Sequence, residues 1–95
     1  MIIFTGPLKS WTFADGTSHF MSVPEEFAGE IRAHAMLFRR GFGSVKVEVS
    51  LHDVTWRTSI FPSKGGGYFL PIKVDVLRRT GVSAGDEVMI SLELI

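Results

Sequence analysis

Gly65-Gly66-Gly67-Tyr68-Phe69-Leu70-Pro71-Ile72-Lys73 leads through Arg78-Arg79 to Gly81 and then to Gly85-Asp86-Glu87-Val88. The order of residue types along this stretch decides the fold. Three consecutive glycines would forfeit too much backbone entropy inside a strand or helix, so residues 62–67 read as a loop. Tyr68 to Leu70 then makes a short strand. Pro71 or Lys73 opens a two-turn helix with Val74 and Leu77 inward, and Gly81 closes it. Residues 87–95 form the last strand, with Val88, Ile90, Leu92 and Leu94 facing the core and Met89 and Ile95 pointing to partial cover on the other face.

A weaker copy of the same order comes earlier. Phe20-Met21-Ser22-Val23-Pro24-Glu25-Glu26-Phe27 ends a strand and starts a helix, and Gly41 and Gly43 precede another alternating strand. Ser22 and Glu25 have the spacing of a capping box, Pro24 suits a first turn, and Glu25 and Glu26 sit where a helix dipole favours anions. Phe27, Ile31, Ala35 and Phe38 recur at near-helical spacing, Arg39 and Arg40 fall in the last turn, and Gly41 supplies a left-handed stop. Two strand, proline, helix, glycine, strand units in one short chain predict a pseudo-two-fold barrel.

The remaining segments supply its other strands. Residues 2–13 read as a strand interrupted near Gly6-Pro7, where a residue without an N–H implies an edge, bulge or bend. Asp15-Gly16 is a hairpin turn, and residues 17–23 return as the second strand. Val45, Val47, Val49 and Leu51 alternate with Lys46, Glu48, Ser50 and His52, the pattern of a strand with one wet face. Asp53 marks a turn, and Thr55 to Phe61 is its β-branched and aromatic partner. The fold class is therefore mainly β: a small closed or split β-barrel of six to seven strands with two short helices, since barrel closure removes exposed strand edges.

Bulk properties bound the function. Residues 1–95 supply one domain, which by surface scaling buries about 60–65% of its unfolded-chain surface. No cysteine means no disulfide, no thiolate nucleophile and no Cys-containing zinc pattern. Ten basic and ten acidic side chains cancel, which argues against a broad field for nucleic acid or anionic membrane. The N-terminal residues carry neither a basic leader region nor a long apolar run, so the expectation is a cytoplasmic protein with no membrane span.

Two resemblances arise at these residues. Phe69-Leu70-Pro71 with its short helix, Gly81 and Gly85-Asp86-Glu87-Val88 looks like the swapped-hairpin transcription regulators of the AbrB and MazE type, whose units are about half this length, so the chain resembles a fused pseudo-dimer of such units. The closer resemblance is to DUF1905, a bacterial family of unknown function, and covers nearly the whole chain. It rests on Val23-Pro24-Glu25, Gly65 to Gly67, Leu70-Pro71, Arg78 and Gly85-Asp86-Glu87-Val88, in that order. The resemblance implies a single-chain double-split β-barrel and brings no catalytic residues with it.

Candidate chemistry concentrates at the glycine loop. Gly65, Gly66 and Gly67 could turn backbone N–H groups onto a phosphate or carboxylate, with Lys64 adding charge, or simply connect a hairpin. The lysine precedes the glycines, the reverse of a P-loop, so nucleotide hydrolysis is unsupported. Arg57, Lys64, Lys73, Arg78 and Arg79 against Asp75 form a local basic excess that could meet nucleic acid, although helix-end cations are favoured without any ligand. His19, His34 and His52 are dispersed, which predicts no metal site, and nothing implies a cofactor. Ser63 beside Lys64, with Asp53 or Asp86, lacks the surroundings of a nucleophile, and Asp86 reads as a turn residue. Trp11, Phe13, Phe20, Trp56, Phe61, Tyr68 and Phe69 should be mostly core, unless some line a groove for an apolar or aromatic ligand or meet a second copy.

The sequence thus favours a non-catalytic module binding a small anionic ligand or a protein partner through Arg57, Lys64, Gly65, Gly66, Gly67, Tyr68 and Arg78. A DNA-binding regulator of swapped-hairpin type is the alternative, and an enzyme at the same loop the third reading.

Overall fold

The computed structural model describes residues 1–38 and 43–95. Strands β1 (Ile2–Pro7), β2 (Lys9–Phe13) and β3 (Gly16–Val23) lead into a single 3-10 turn (Glu25–Phe27) and helix α1 (Ala28–Leu37). There follow β4 (Val45–Leu51), β5 (Val54–Pro62), β6 (Tyr68–Ile72), helix α2 (Val74–Thr80) and β7 (Glu87–Leu94). All neighbouring strands are antiparallel, in the order β1-β7-β4-β5-β6-β3-β2.

This order is two arrays sharing a strand. Val54 to Ile60 of β5 pair with β4, and then Phe61 and Pro62 cross to pair with Phe69 and Tyr68 of β6. The other crossing is made by β1, which pairs with β7, and β2, which pairs with β3, the two being interrupted only at Leu8. Exchanging β3 with β6 and β4 with β7 therefore maps β5 onto the bent β1–β2 segment, which is the pseudo-two-fold relation of a split barrel. The curled sheet is open in its hydrogen bonding, and its two edge strands are joined through the chain itself.

The break at Leu8 is where the proline argument places it, and a turn satisfies its backbone. Leu8 N–H donates to Asp86 O at 2.9 Å, and Gly85 N–H donates to Leu8 O at 2.8 Å. Asp86 acts as a turn residue: its carboxylate accepts from Ser83 N–H at 2.9 Å, and Gly85 adopts φ 93°. The Leu8 side chain is buried in the core.

Cross-strand pairs define that core. Val49 opposes Leu92 and Met21 opposes Leu70 at the two pseudo-symmetric strand junctions, and all four are fully buried. Ile2, Phe4, Val45, Val47, Ile60, Val88 and Ile90 belong to the same cluster, which Ile31 of α1 and Val76 of α2 cover.

Several local expectations are corrected. Ser22 forms no capping box, because its hydroxyl accepts from Lys9 Nζ at 3.2 Å and the helix enters through the 3-10 turn without a side-chain cap. On α1, Ile31 is buried and Phe27 and Ala35 pack beside it, whereas Phe38 lies beyond the last helical turn, exposed and against His34 at 4.8 Å between ring centroids. The predicted roles of Arg39, Arg40 and Gly41 fall outside the described residues. Lys73 is the N-cap of α2, so Val76 turns inward with Leu77 beside it and Val74 is exposed. Gly81 ends α2 with φ 75° and an N–H to Leu77 O bond of 2.8 Å, as its position predicts. Pro71 lies inside β6 opposite Phe20, beyond Phe69, where the pairing with β5 has ended and a missing N–H costs nothing.

Candidate functional site

The outer faces of the two arrays differ in kind. Cross-strand partners share a face, so the outer side of the β7-β4-β5 array carries Lys46, Glu48, Ser50, Arg57, Ser59, Ser91 and Glu93, with Ile3 and Met89 toward its β1 edge. That is the ordinary antiparallel arrangement of apolar inside and polar outside. The outer side of the second array carries Lys9, Trp11 and Phe13 of β2, Phe20 and Ser22 of β3, Phe69 and Pro71 of β6, and Phe61 of β5. Five aromatic rings thus lie on the side facing away from the core.

The rings touch in two groups. Trp11 and Phe13 lie 6.2 Å apart at 26° between planes, Phe20 meets Phe69 edge-on at 6.2 Å, and Phe69 meets Phe61 at 5.7 Å. Trp11 remains 63% exposed and Phe13 51%, which places them on water rather than in a core. Every residue of β2 is exposed, as are Gly16 to Ser18 of β3, so the tip of the β2–β3 hairpin stands out beyond the core as an arm.

Between the arm and the glycine loop is a cleft of about 530 Å³ lined by Trp11, Phe20, Ser22, Pro62, Ser63, Lys64 and Phe69. Its volume falls in the range of small-ligand sites, which are mostly apolar with a few polar groups fixing orientation. The polar groups here are the hydroxyls of Ser22 and Ser63 and the Lys64 ammonium. Lys9, opposite Phe20, adds a second ammonium held on Ser22 Oγ. Among the described residues no carboxylate lines the cleft.

The glycine loop forms one wall. Ser63 N–H donates to Gly67 O at 2.8 Å and Gly66 N–H to Ser63 O at 3.3 Å, closing a tight connection that gives Gly65 φ 94° and Gly66 φ 99°. The Gly66 amide is therefore engaged within the turn. Arg32 of α1 reaches across and donates from Nη1 to Gly66 O at 2.9 Å, tying the helix to the loop.

The structure separates the residues singled out in the sequence. Lys64 lines the cleft, and Gly65, Gly66 and Gly67 shape the loop beside it. Tyr68 is buried in the core opposite Val23. Arg57 lies on the other array, its Nε 3.4 Å from Glu48 Oε1, in a smaller depression of about 350 Å³ with Lys46, Thr58 and Ile95. Arg78 projects from α2, where neighbouring Arg79 pairs with Asp75 at 3.8 Å. Trp11, Phe20 and Phe69, expected to be mostly core with a groove as the alternative, line the cleft. Ser22, expected as a cap, lines it too, and Arg32 as the loop's tether was not singled out. The histidines stay apart: His34 Nε2 lies 3.3 Å from Ile95 O, His52 occupies the β4–β5 turn, and His19 lines a depression of about 270 Å³ with Lys73. Among the described residues no cluster of three or more His, Cys, Asp or Glu is placed to hold a metal ion. No described helix is long and apolar enough to cross a membrane.

Fold and surface together define a small split-barrel domain with an aromatic outer face. Residues 4–92 match the family model described as a domain of unknown function, DUF1905, and the chain belongs to that family. A comparison with curated proteins finds no match.

Proposed function

We propose that this domain is a binding module whose ligand is a planar molecule carrying an anionic group. The observation that carries this reading is the inversion of the second array, where rings that would serve a core face outward around a cleft with Lys64 at its rim. Trp11, Phe20 and Phe69 would enclose the flat part by stacking and edge contacts, and the Lys64 ammonium would meet a carboxylate or phosphate. Ser22, whose oxygen accepts from Lys9, keeps its own O–H to donate.

Tryptophan fluorescence tests this directly. Trp56 packs against the core, so a Trp56→Phe background leaves Trp11 as the reporter of the cleft. Titration with a panel of aromatic carboxylates and nucleoside monophosphates should quench or shift its emission and raise the melting temperature. Lys64→Ala should weaken binding by about fivefold, the equivalent of an exposed ion pair worth ~1 kcal/mol. A panel that leaves both emission and melting unmoved overturns the reading.

A further inference from the structure

We infer that the ligand of this face is a single-stranded nucleic acid several nucleotides long, an inference resting on the cleft being a site for planar anions. The first reason is extent. Phe13 and Phe61 share the outer face and touch the cleft rings Trp11 and Phe69, yet neither lines the cleft. A molecule that fills only the cleft leaves them bare, whereas a chain of flat units running from the arm across the array engages all of them.

The second reason is charge. Among the described residues the charged side chains on the stripe and the cleft wall are Lys9, held on Ser22, and Lys64 at the loop. The stripe-bearing strands contribute no carboxylate to this face, and the acidic residues nearest in the chain are Asp15 in the arm's turn and Glu25 beside the loop at Gly67. Rings bordered by cations match a polymer that carries flat bases on a phosphate backbone. Base-on-ring stacking is tolerant of sequence and is available only when bases are unpaired, which favours a single strand over a duplex. A second copy of the chain docked here about a two-fold axis would bury two sets of the same lysines on one interface, with no acid among the described residues of the face to offset them.

The zero net charge makes a specific demand on this inference. Stacking must carry the affinity and phosphate contacts contribute little, so the salt dependence is shallow. With two lysines engaged, the slope of log K against log salt is about −1.4, at about 0.7 per phosphate on a single strand.

The test is fluorescence anisotropy with a labelled thymidylate octamer, competed by thymidine monophosphate and by a duplex of the same length. The octamer should bind more than about tenfold tighter than either competitor. Phe13→Ala should weaken the octamer about tenfold and leave the monophosphate unchanged, and Phe13→Tyr should restore octamer binding because it restores the ring. Equal binding of octamer and monophosphate, or an octamer indifferent to Phe13→Ala, overturns the inference while the cleft reading stands. Failure of the octamer together with the whole small-molecule panel overturns both. Sedimentation showing a dimer that Phe13→Ala dissociates also overturns it, because a second copy would then cover the stripe.

Discussion

Gly66 and Gly67 are adjacent and chemically identical, yet their surroundings ask opposite things of them. Gly66 holds φ 99°, a conformation that a side chain strains, and its carbonyl takes the Arg32 bond. Gly67 has no positive φ, and a Cβ there would meet Ser63 Oγ at 3.5 Å and Glu25 Cγ at 3.8 Å, ordinary contacts. Urea denaturation should therefore show Gly66→Ala losing about 1–3 kcal/mol, with Gly67→Ala within about 1 kcal/mol of the parent. His52 presents the reverse case, a non-glycine residue at φ 52° in the two-residue turn between Leu51 and Val54. His52→Gly should raise the denaturation midpoint, gaining up to about 1 kcal/mol once left-handed strain is set against glycine's larger unfolded-state entropy. At this scale the loop was legible, because three glycines exclude regular structure. The Arg32 tether was not, since nothing in a helix sequence tells which carbonyl a long side chain will reach across 34 positions.

At the scale of the element, β6 shows why the barrel could be read and its aromatic outer face could not. In β4, polar residues alternate with valines and so announce which side is wet. In β6, Tyr68-Phe69-Leu70-Pro71-Ile72 is apolar at every position, the pattern of a strand buried on both faces. Only pairing reveals that Leu70 points into the core opposite Met21 while Phe69 points outward beside Phe20 and Phe61. In β2, the alternation of Trp11 and Phe13 with Ser10 and Thr12 reads as a strand with its rings inward, but the arm lies beyond the core and neither side is covered. Paired substitutions in β6 separate the two roles. Leu70→Ala should cost about 2–5 kcal/mol by opening a cavity in a fully buried position. Phe69→Ala should cost clearly less in thermal unfolding while reducing the response of Trp11 to ligand.

For the whole molecule, the repeated strand, helix, strand order predicted the two-fold relation, and the strand order bears it out. What the repeat could not reveal is that its two halves present unlike outer faces, one polar and one aromatic, because equivalence of backbone places no demand on solvent-facing side chains. The join at Leu8 belongs to this scale as well. Its residue lies between strands and would be taken for a hinge, yet its amide is bonded to Asp86 and its side chain is buried. Withdrawing that side chain from the core requires β1 and β2 to leave β7 and β3 together, so the join holds for as long as those pairings do. In deuterium the Leu8 amide should therefore exchange as slowly as those of Val49 and Leu92 at the barrel's centre, and exchange at the rate of the exposed arm would refute this. A residue that belongs to no strand would then keep the time of the entire fold.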